Sequence, residues 1–79
     1  MNYYIIVFKN TLDAMNGEKV LKEKGFTFKM MPTPTAITHS CGICIRIEEE
    51  KDIKEIINEE LIIYKKIYIK EDNKFSEIE

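Results

Sequence analysis

The spacing of hydrophobic side chains along the sequence predicts four β-strands. Residues 3–8 form an uninterrupted β-prone run, which is typical of a strand in the middle of a sheet. Three later segments alternate apolar and polar positions, as strands with one buried face do. The apolar positions of these segments are Phe26, Phe28 and Met30, then Ile43, Ile45 and Ile47, and last Ile67 and Ile69.

Two segments between these strands have the hydrophobic spacing of α-helices. The inward face of the first consists of Ala14, Gly17, Val20 and Leu21. Asn10 and Thr11 offer this helix an N-cap, and Gly25 offers it a C-terminal stop. Three glutamates at 48–50 precede the second helix, where negative charge suits the positive end of the helix dipole. The apolar stripe of the second helix consists of Ile53, Ile56 and Ile57.

The order strand, helix, strand, strand, helix, strand indicates an α+β protein. It predicts a ferredoxin-like βαββαβ sandwich, in which two helices cover one face of a four-stranded antiparallel sheet. Right-handed crossovers would place the first and third strands in the centre of this sheet. The opposite face would stay open to water or to a partner, and would carry Cys44, Arg46, Lys29, Lys66 and Tyr68. Residues 1–70 would form this single domain, and residues 71–79 would be an acidic tail that frays.

The length of the chain and the distribution of its charges exclude some classes of binding partner. A chain of 79 residues has room for one small hydrophobic core. Arg46 is the only arginine among 12 basic residues, and they do not form the basic stripe of a nucleic-acid-binding protein. The longest apolar run, residues 3–8, is too short to span a membrane. The N-terminus also lacks the pattern of a secretory signal, so we expect a cytoplasmic protein that binds neither nucleic acid nor membrane.

The two cysteines are the residues best suited to carry chemistry. Cys41 and Cys44 have the CxxC spacing of redox dithiols, which act at a helix N-terminus, but here the predicted context is a loop entering a strand. Three residues of extended chain span about 10 Å, whereas a disulfide requires Cα atoms within about 7 Å. An intact strand therefore disfavours a bridge, although a bend at Gly42 would keep a redox dithiol as an alternative.

The number of ligands disfavours a metal site. A structural zinc ion takes four protein ligands, and His39, Cys41 and Cys44 supply at most three. The chain has no other His or Cys, so a metal ion would have to be shared across a dimer. We therefore expect neither a metal ion nor a cofactor.

A further interpretation treats the two sulfur atoms as unequal. Cys41 ends a polar loop between Ser40 and Gly42, where approach to its thiol is sterically open. The imidazole of His39 lies close in sequence and could favour the thiolate, which is the nucleophilic form. Cys44 lies inside a strand and is expected to serve as a small side chain of the sheet. We therefore predict that Cys41 alkylates faster than Cys44 and that the two do not readily form an internal disulfide.

Several short segments resemble those of a known family. They are residues 18–22, Gly25, Met31-Pro32-Thr33-Pro34, the triplet Ser40-Cys41-Gly42 and residues 64–68. Over residues 4–69 the chain resembles the selenium/sulfur (Se/S) carrier protein-like family of small bacterial domains. The resemblance implies that Cys41 accepts sulfur or selenium from a donor protein, as a persulfide or selenopersulfide, and passes it to an acceptor protein. It implies a carrier and not a stand-alone enzyme.

The predicted open sheet face supports an alternative function without chemistry. Tyr and Lys side chains, including Tyr68 and Lys66, form rows on this face. Such a surface could join two copies of the chain into a homodimer and regulate a partner protein. In this alternative, Cys41 is an ordinary loop thiol.

Overall fold

A computed structural model describes residues 2–37 and 42–79, which form two α-helices and five β-strands. The elements are β1 (Tyr3–Val7), α1 (Thr11–Glu23), β2 (Lys29–Pro32), β3 (Ile43–Ile47), α2 (Glu50–Asn58), β4 (Lys66–Glu71) and β5 (Lys74–Glu77). Neither of the two described helices is long and apolar enough to cross a membrane. The predicted α+β class, with two helices and an antiparallel sheet, is confirmed.

The strands form one antiparallel sheet in the order β2-β3-β1-β4-β5. β1 lies at its centre, where Ile6 is paired with Ile45 of β3 on one side and with Ile67 of β4 on the other. β3 is also interior, because β2 covers its outer edge. The two strands that the sequence predicts at the centre are therefore neighbours inside the sheet.

The sheet has five strands and not the four that the sequence predicts. β5 pairs with β4 through a tight turn in which Asp72 adopts a φ of +55°. Beyond β5, the N–H of Ile78 donates to the carbonyl oxygen of Ile67 at 2.8 Å. The prediction that residues 71–79 fray is therefore wrong. Phe75 is the only large apolar residue of β5, so pairing with β4, more than burial, holds this strand, and hydrophobic alternation could not indicate it.

Both helices pack on the same face of the sheet. Their buried residues are Ala14, Gly17 and Leu21 of α1 and Ile53 and Ile56 of α2. Gly17 is the closest point of approach, because a Cβ at this position would lie 3.1 Å from the ring of Phe8. The predicted position of Gly17 on the inward face of α1 is confirmed.

The ends of α1 follow local sequence signals. The side chain of Asn10 accepts a hydrogen bond of 2.8 Å from the N–H of Asp13, which satisfies one of the donors that a helix N-terminus leaves unpaired. Gly25 follows the C-cap and has a φ of +80°, a left-handed conformation that glycine adopts without a steric penalty. The N-cap of α2 is Glu49, and its side chain makes no capping hydrogen bond.

The second sheet face is not open at its centre, which corrects the sequence prediction. Ile5, Val7, Ile37 and Cys44 form a buried cluster there. Half-buried apolar side chains surround this cluster, namely Tyr3, Met31, Tyr68 and Phe75. The predicted polar residues of this face do lie around it, with Lys29 exposed and Arg46 and Lys66 half-buried. The face is covered because the chain after β2 folds back and places Ile37 over the middle strands.

Candidate functional site

The start of β3 is the described part of the candidate site. Gly42 immediately precedes β3 and is exposed, and its carbonyl oxygen accepts a 3.0 Å hydrogen bond from the N–H of Thr33. This bond continues the β2–β3 ladder one step beyond the pairing of Pro32 with Ile43. Among the described residues, no heavy atom would lie within 4 Å of a Cβ added at Gly42. The backbone at Gly42 is therefore anchored to β2, while the described residues leave open space beside it.

The remaining predicted site residues, His39, Ser40 and Cys41, lie outside the described residues. Their predicted roles as thiolate support, neighbour and carrier thiol therefore stay predictions. The structure describes the chain on both sides of them, at Ile37 and at Gly42. These two positions are the nearest described residues on either side of the cysteine-bearing segment.

Ile37 attaches the incoming side of this segment to the sheet. Its N–H donates to the carbonyl oxygen of Pro34 at 3.0 Å, which closes a turn. Its side chain is 7% exposed and packs in the cluster with Ile5, Val7 and Cys44. Sequence reasoning missed this role, and the available signal was one large aliphatic residue in an otherwise polar loop.

Cys44 has the environment of a structural side chain. It is fully buried, and its Sγ donates a weak hydrogen bond of 3.7 Å to the carbonyl oxygen of Pro32. Val7 on one side and Met31 on the other are its register partners in the neighbouring strands. Another molecule cannot reach a thiol in this position unless the side chains of the buried cluster move. Cys44 lies within β3 as the sequence predicts, but it is buried and not on an open face, and its pairing with Cys41 stays untested.

Metal binding rests on residues that the structure only partly describes. Within 2–37 and 42–79, no group of three His, Cys, Asp or Glu side chains is arranged to hold a metal ion. Two of the three candidate ligands, His39 and Cys41, lie outside those ranges. The expectation that the chain binds no metal ion therefore stays a prediction.

The sheet end near Gly42 also carries the start of α1 and several lysines. Val7, the last residue of β1, is paired with Cys44 of β3 and with Lys66 of β4. Lys9 and Lys65 are exposed beside this end. Lys66 donates a 2.6 Å hydrogen bond to Glu77 of β5, and this bond raises the pKa of the lysine. Positive groups of this kind favour an anion such as a thiolate nearby.

The family comparison agrees with the resemblance seen in the sequence. A family model described as "Putative Se/S carrier protein-like" matches residues 3–69. The match spans the candidate site, both helices, the first three strands and most of β4. No curated protein and no solved structure gives a significant match to the chain.

Proposed function

Since the chain belongs to the Se/S carrier protein-like family, we propose that it carries sulfur or selenium between proteins on the thiol of Cys41. The observation that carries the proposal is the family match over residues 3–69, which includes the triplet of Ser40, Cys41 and Gly42. The open space around Gly42 supports it, because the sulfur atom of a carrier must be reached by two other proteins.

The proposed chemistry is an exchange between a thiolate and a persulfide. The thiolate of Cys41 attacks the terminal sulfur of a persulfide on the donor protein. A new S–S bond forms on Cys41, the donor's S–S bond breaks, and the donor cysteine leaves as a thiolate. The transferred sulfur keeps its oxidation state, so the step requires no external oxidant. Delivery to the acceptor repeats the exchange in the opposite direction, and a selenium atom would follow the same path as a selenopersulfide.

In this proposal Cys41 is the reactive cysteine and Cys44 is a structural one. Thiolate attack requires exposure and a stabilised anion more than a catalytic triad. Cys44 is unsuited to the role because it is fully buried beneath Ile37 and beside Pro32. For Cys41, the imidazole of His39 and the exposed lysines at the same sheet end would favour the thiolate. Ser40 and Gly42, its neighbours in sequence, are small residues, which suits an accessible thiol.

The setting of the proposed carrier follows from the same resemblance. The chain would act in the bacterial cytoplasm, with a sulfur or selenium donor protein and an acceptor protein as partners. It would be a carrier and not a stand-alone enzyme, and it would need neither a metal ion nor a cofactor. We assign β1 to β4 with the two helices to a ferredoxin-like arrangement, and β5 is an addition at its edge.

Loading by a cysteine desulfurase tests the proposal. The reduced protein is incubated with the desulfurase and cysteine, separated, and measured by intact-mass analysis. Wild type and Cys44→Ala should gain the mass of one sulfur atom, whereas Cys41→Ser should gain none. Cyanide should remove the added sulfur as thiocyanate, which is the reaction of sulfane sulfur. A mass gain that persists in Cys41→Ser, or that never appears in the wild type, would refute the assignment.

The second candidate is the function without chemistry, in which the chain forms a homodimer and regulates a partner protein. Its support is that aromatic side chains surround the covered centre of the second sheet face. Tyr3, Tyr68 and Phe75 are half-buried there, so each leaves part of a ring accessible to a second copy of the chain. This candidate predicts that Cys41→Ala keeps cellular function and that Lys66→Glu abolishes both function and dimer formation. The carrier proposal predicts loss of function in Cys41→Ala, so the same pair of variants separates the two.

The redox dithiol is a third alternative with a distinct product. Mild oxidation would then give a monomer that is two mass units lighter, with an internal bond between Cys41 and Cys44. The carrier proposal predicts intermolecular disulfides through Cys41 instead, which a non-reducing gel detects as dimers. The burial of Cys44 favours the second outcome.

A further inference from the structure

A cleft opens at the sheet end opposite Gly42. Its volume is about 520 Å³, which lies within the usual range of small-molecule sites. The lining residues come from the N-terminus, the approach to β2 and the end of β3, and they are Asn2, Thr27, Phe28, Lys29, Arg46, Glu48 and Glu49. All of them are described residues, so the cleft does not depend on the cysteine-bearing segment.

Two positive side chains lie next to each other in this cleft. Lys29 of β2 and Arg46 of β3 are direct register partners, so their side chains project from the same face of the sheet. Like charges that face each other across two strands destabilise a sheet. The ion pair of Arg46 with Glu48 offsets part of this repulsion, and a negative group bound between Lys29 and Arg46 would offset more of it.

Arg46 is held in place with part of its hydrogen-bonding capacity unused. Its guanidinium group lies 3.8 Å from the centroid of the Tyr3 ring. Its Nη2 forms an ion pair of 3.4 Å with Glu48, while its Nε is buried and has no hydrogen-bond partner among the described residues. Because the Nε is buried, a ligand in the cleft would contact the guanidinium group through its Nη atoms. A planar, fixed guanidinium group is suited to bind a carboxylate through two donors.

The charged side chains that line the cleft indicate which kind of ligand would fit it. Lys29 and Arg46 contribute two positive groups, and Glu48 and Glu49 contribute two carboxylates. A simple anion would meet those carboxylates, and a simple cation would meet Lys29 and Arg46. A ligand with both charges a few ångströms apart satisfies both pairs. Phe28 also lines the cleft, and its side chain packs against the buried cluster on the helix-covered face of the sheet.

We propose that this cleft binds a small zwitterion, a free α-amino acid, whose carboxylate contacts Lys29 and Arg46 and whose ammonium group contacts Glu48 and Glu49. The site lies at the opposite end of the sheet from Gly42 and uses neither cysteine. Its occupancy is therefore independent of the proposed carrier chemistry, and each proposal can fail without the other.

Ligand-detected NMR with each of the twenty L-amino acids tests this proposal. At least one of them should bind saturably, and its N-acetyl and methyl ester forms should each bind at least tenfold more weakly. Acetate alone should also bind at least tenfold more weakly. Failure of every amino acid to bind at millimolar concentration, or equal binding of acetate, would overturn the proposal.

Variants assign the binding to the cleft. Lys29→Gln should weaken binding about tenfold, the loss of roughly one charge-assisted contact, and Lys29 is exposed so the fold should be unaffected. Lys70→Gln is the matched control, because Lys70 approaches the Tyr3 ring at 6.0 Å but does not line the cleft. Cys41→Ser should bind as the wild type does. Equal affinity in the wild type and Lys29→Gln would place the ligand elsewhere and contradict the assignment.

Discussion

The two cysteines, three positions apart in sequence, are predicted to differ, and the structure shows that the side chain of Cys44 is fully buried. Strand alternation places Cys44 on the second sheet face, where Ile37 and two neighbouring strands cover its sulfur. Cys44 contributes packing and a weak hydrogen bond to Pro32. The alternation was readable from the sequence, but the cover by Ile37 was not, because its position depends on how the loop after β2 folds back.

Alkylation should therefore separate the two thiols. In the folded protein iodoacetamide should modify Cys41 readily and Cys44 only slowly, because the Cys44 thiol is fully buried. In concentrated urea both should react at similar rates. Peptide mapping after short labelling times measures the two rates, and equal rates in the folded protein would contradict this prediction.

Gly17 offers a second test at the scale of one residue. A methyl group here would lie 3.1 Å from two atoms of the Phe8 ring, and Phe8 is fully buried with little room to move. The clash should outweigh the gain of about 1 kcal/mol in helix propensity, so Gly17→Ala should lower the Tm.

A neighbouring position supplies the control for Gly17. Asn16 is exposed on the same helix, so Asn16→Ala should leave the Tm unchanged or raise it slightly. Thermal unfolding followed by circular dichroism compares the two variants. A rise in Tm for Gly17→Ala would show that α1 and β1 have more space between them than the structure indicates.

Among the elements, those with a strong local signal were predictable and those held by pairing were not. β1, α1 and α2 have clear apolar patterns, and α1 also has its Asn10 cap and its Gly25 stop. β5 is only four residues long and shows no hydrophobic periodicity. The turn at Asp72-Asn73 was the one local signal that the chain reverses there. The same limit applies to the candidate site. Its residue types could be read from the sequence, but the contacts of Thr33 with Gly42 and of Ile37 with the buried cluster could be seen only in the structure.

Removal of β5 should destabilise the protein. Phe75 packs on the second sheet face and Glu77 pairs with Lys66, so a chain that ends at Lys70 exposes the edge of β4 and loses both contacts. We expect the Tm to fall by more than about 5 °C, since 1 kcal/mol corresponds to about 4–8 °C in a domain of this size. An unchanged Tm in the truncated chain would restore the interpretation of a frayed tail.

Single substitutions in the same segment refine this test. Phe75→Ser should lower the Tm more than Ile78→Ser does, because Phe75 is half-buried and Ile78 is 41% exposed. Equal effects would show that β5 is held by its backbone pairing alone. Thermal unfolding at neutral pH is sufficient for both variants.

At the scale of the whole molecule, three ionisable groups indicate how stability depends on pH. Burial raises the pKa of Tyr4 above 10.0, and the carboxylates of Glu50 and Glu71 add to the shift. Burial and then Glu79, through its charge and a hydrogen bond, raise the pKa of Tyr64 above the same value. The hydrogen bond to Glu77 raises the pKa of Lys66 above 10.5. Each of these three groups therefore keeps its proton up to a higher pH in the folded protein than in the unfolded chain.

The protein should therefore lose stability as the pH rises above about 10. A proton bound more tightly in the folded state makes the free energy of unfolding fall with pH, from the unfolded pKa up to the folded one. Urea unfolding between pH 8 and pH 11 measures this fall. Glu77→Gln should reduce the part of the fall that belongs to Lys66, and a stability that is constant up to pH 11 would contradict the assignment of all three shifts.

The central claim is that one sulfur atom is carried on Cys41 and on no other residue. Fragmentation of the loaded, intact protein in the mass spectrometer locates the added atom directly. The account predicts that fragments containing Cys41 but not Cys44 have the extra mass, and that fragments starting after Gly42 do not. Added mass on Cys44, or a loaded species whose extra mass cannot be assigned to Cys41, would contradict it.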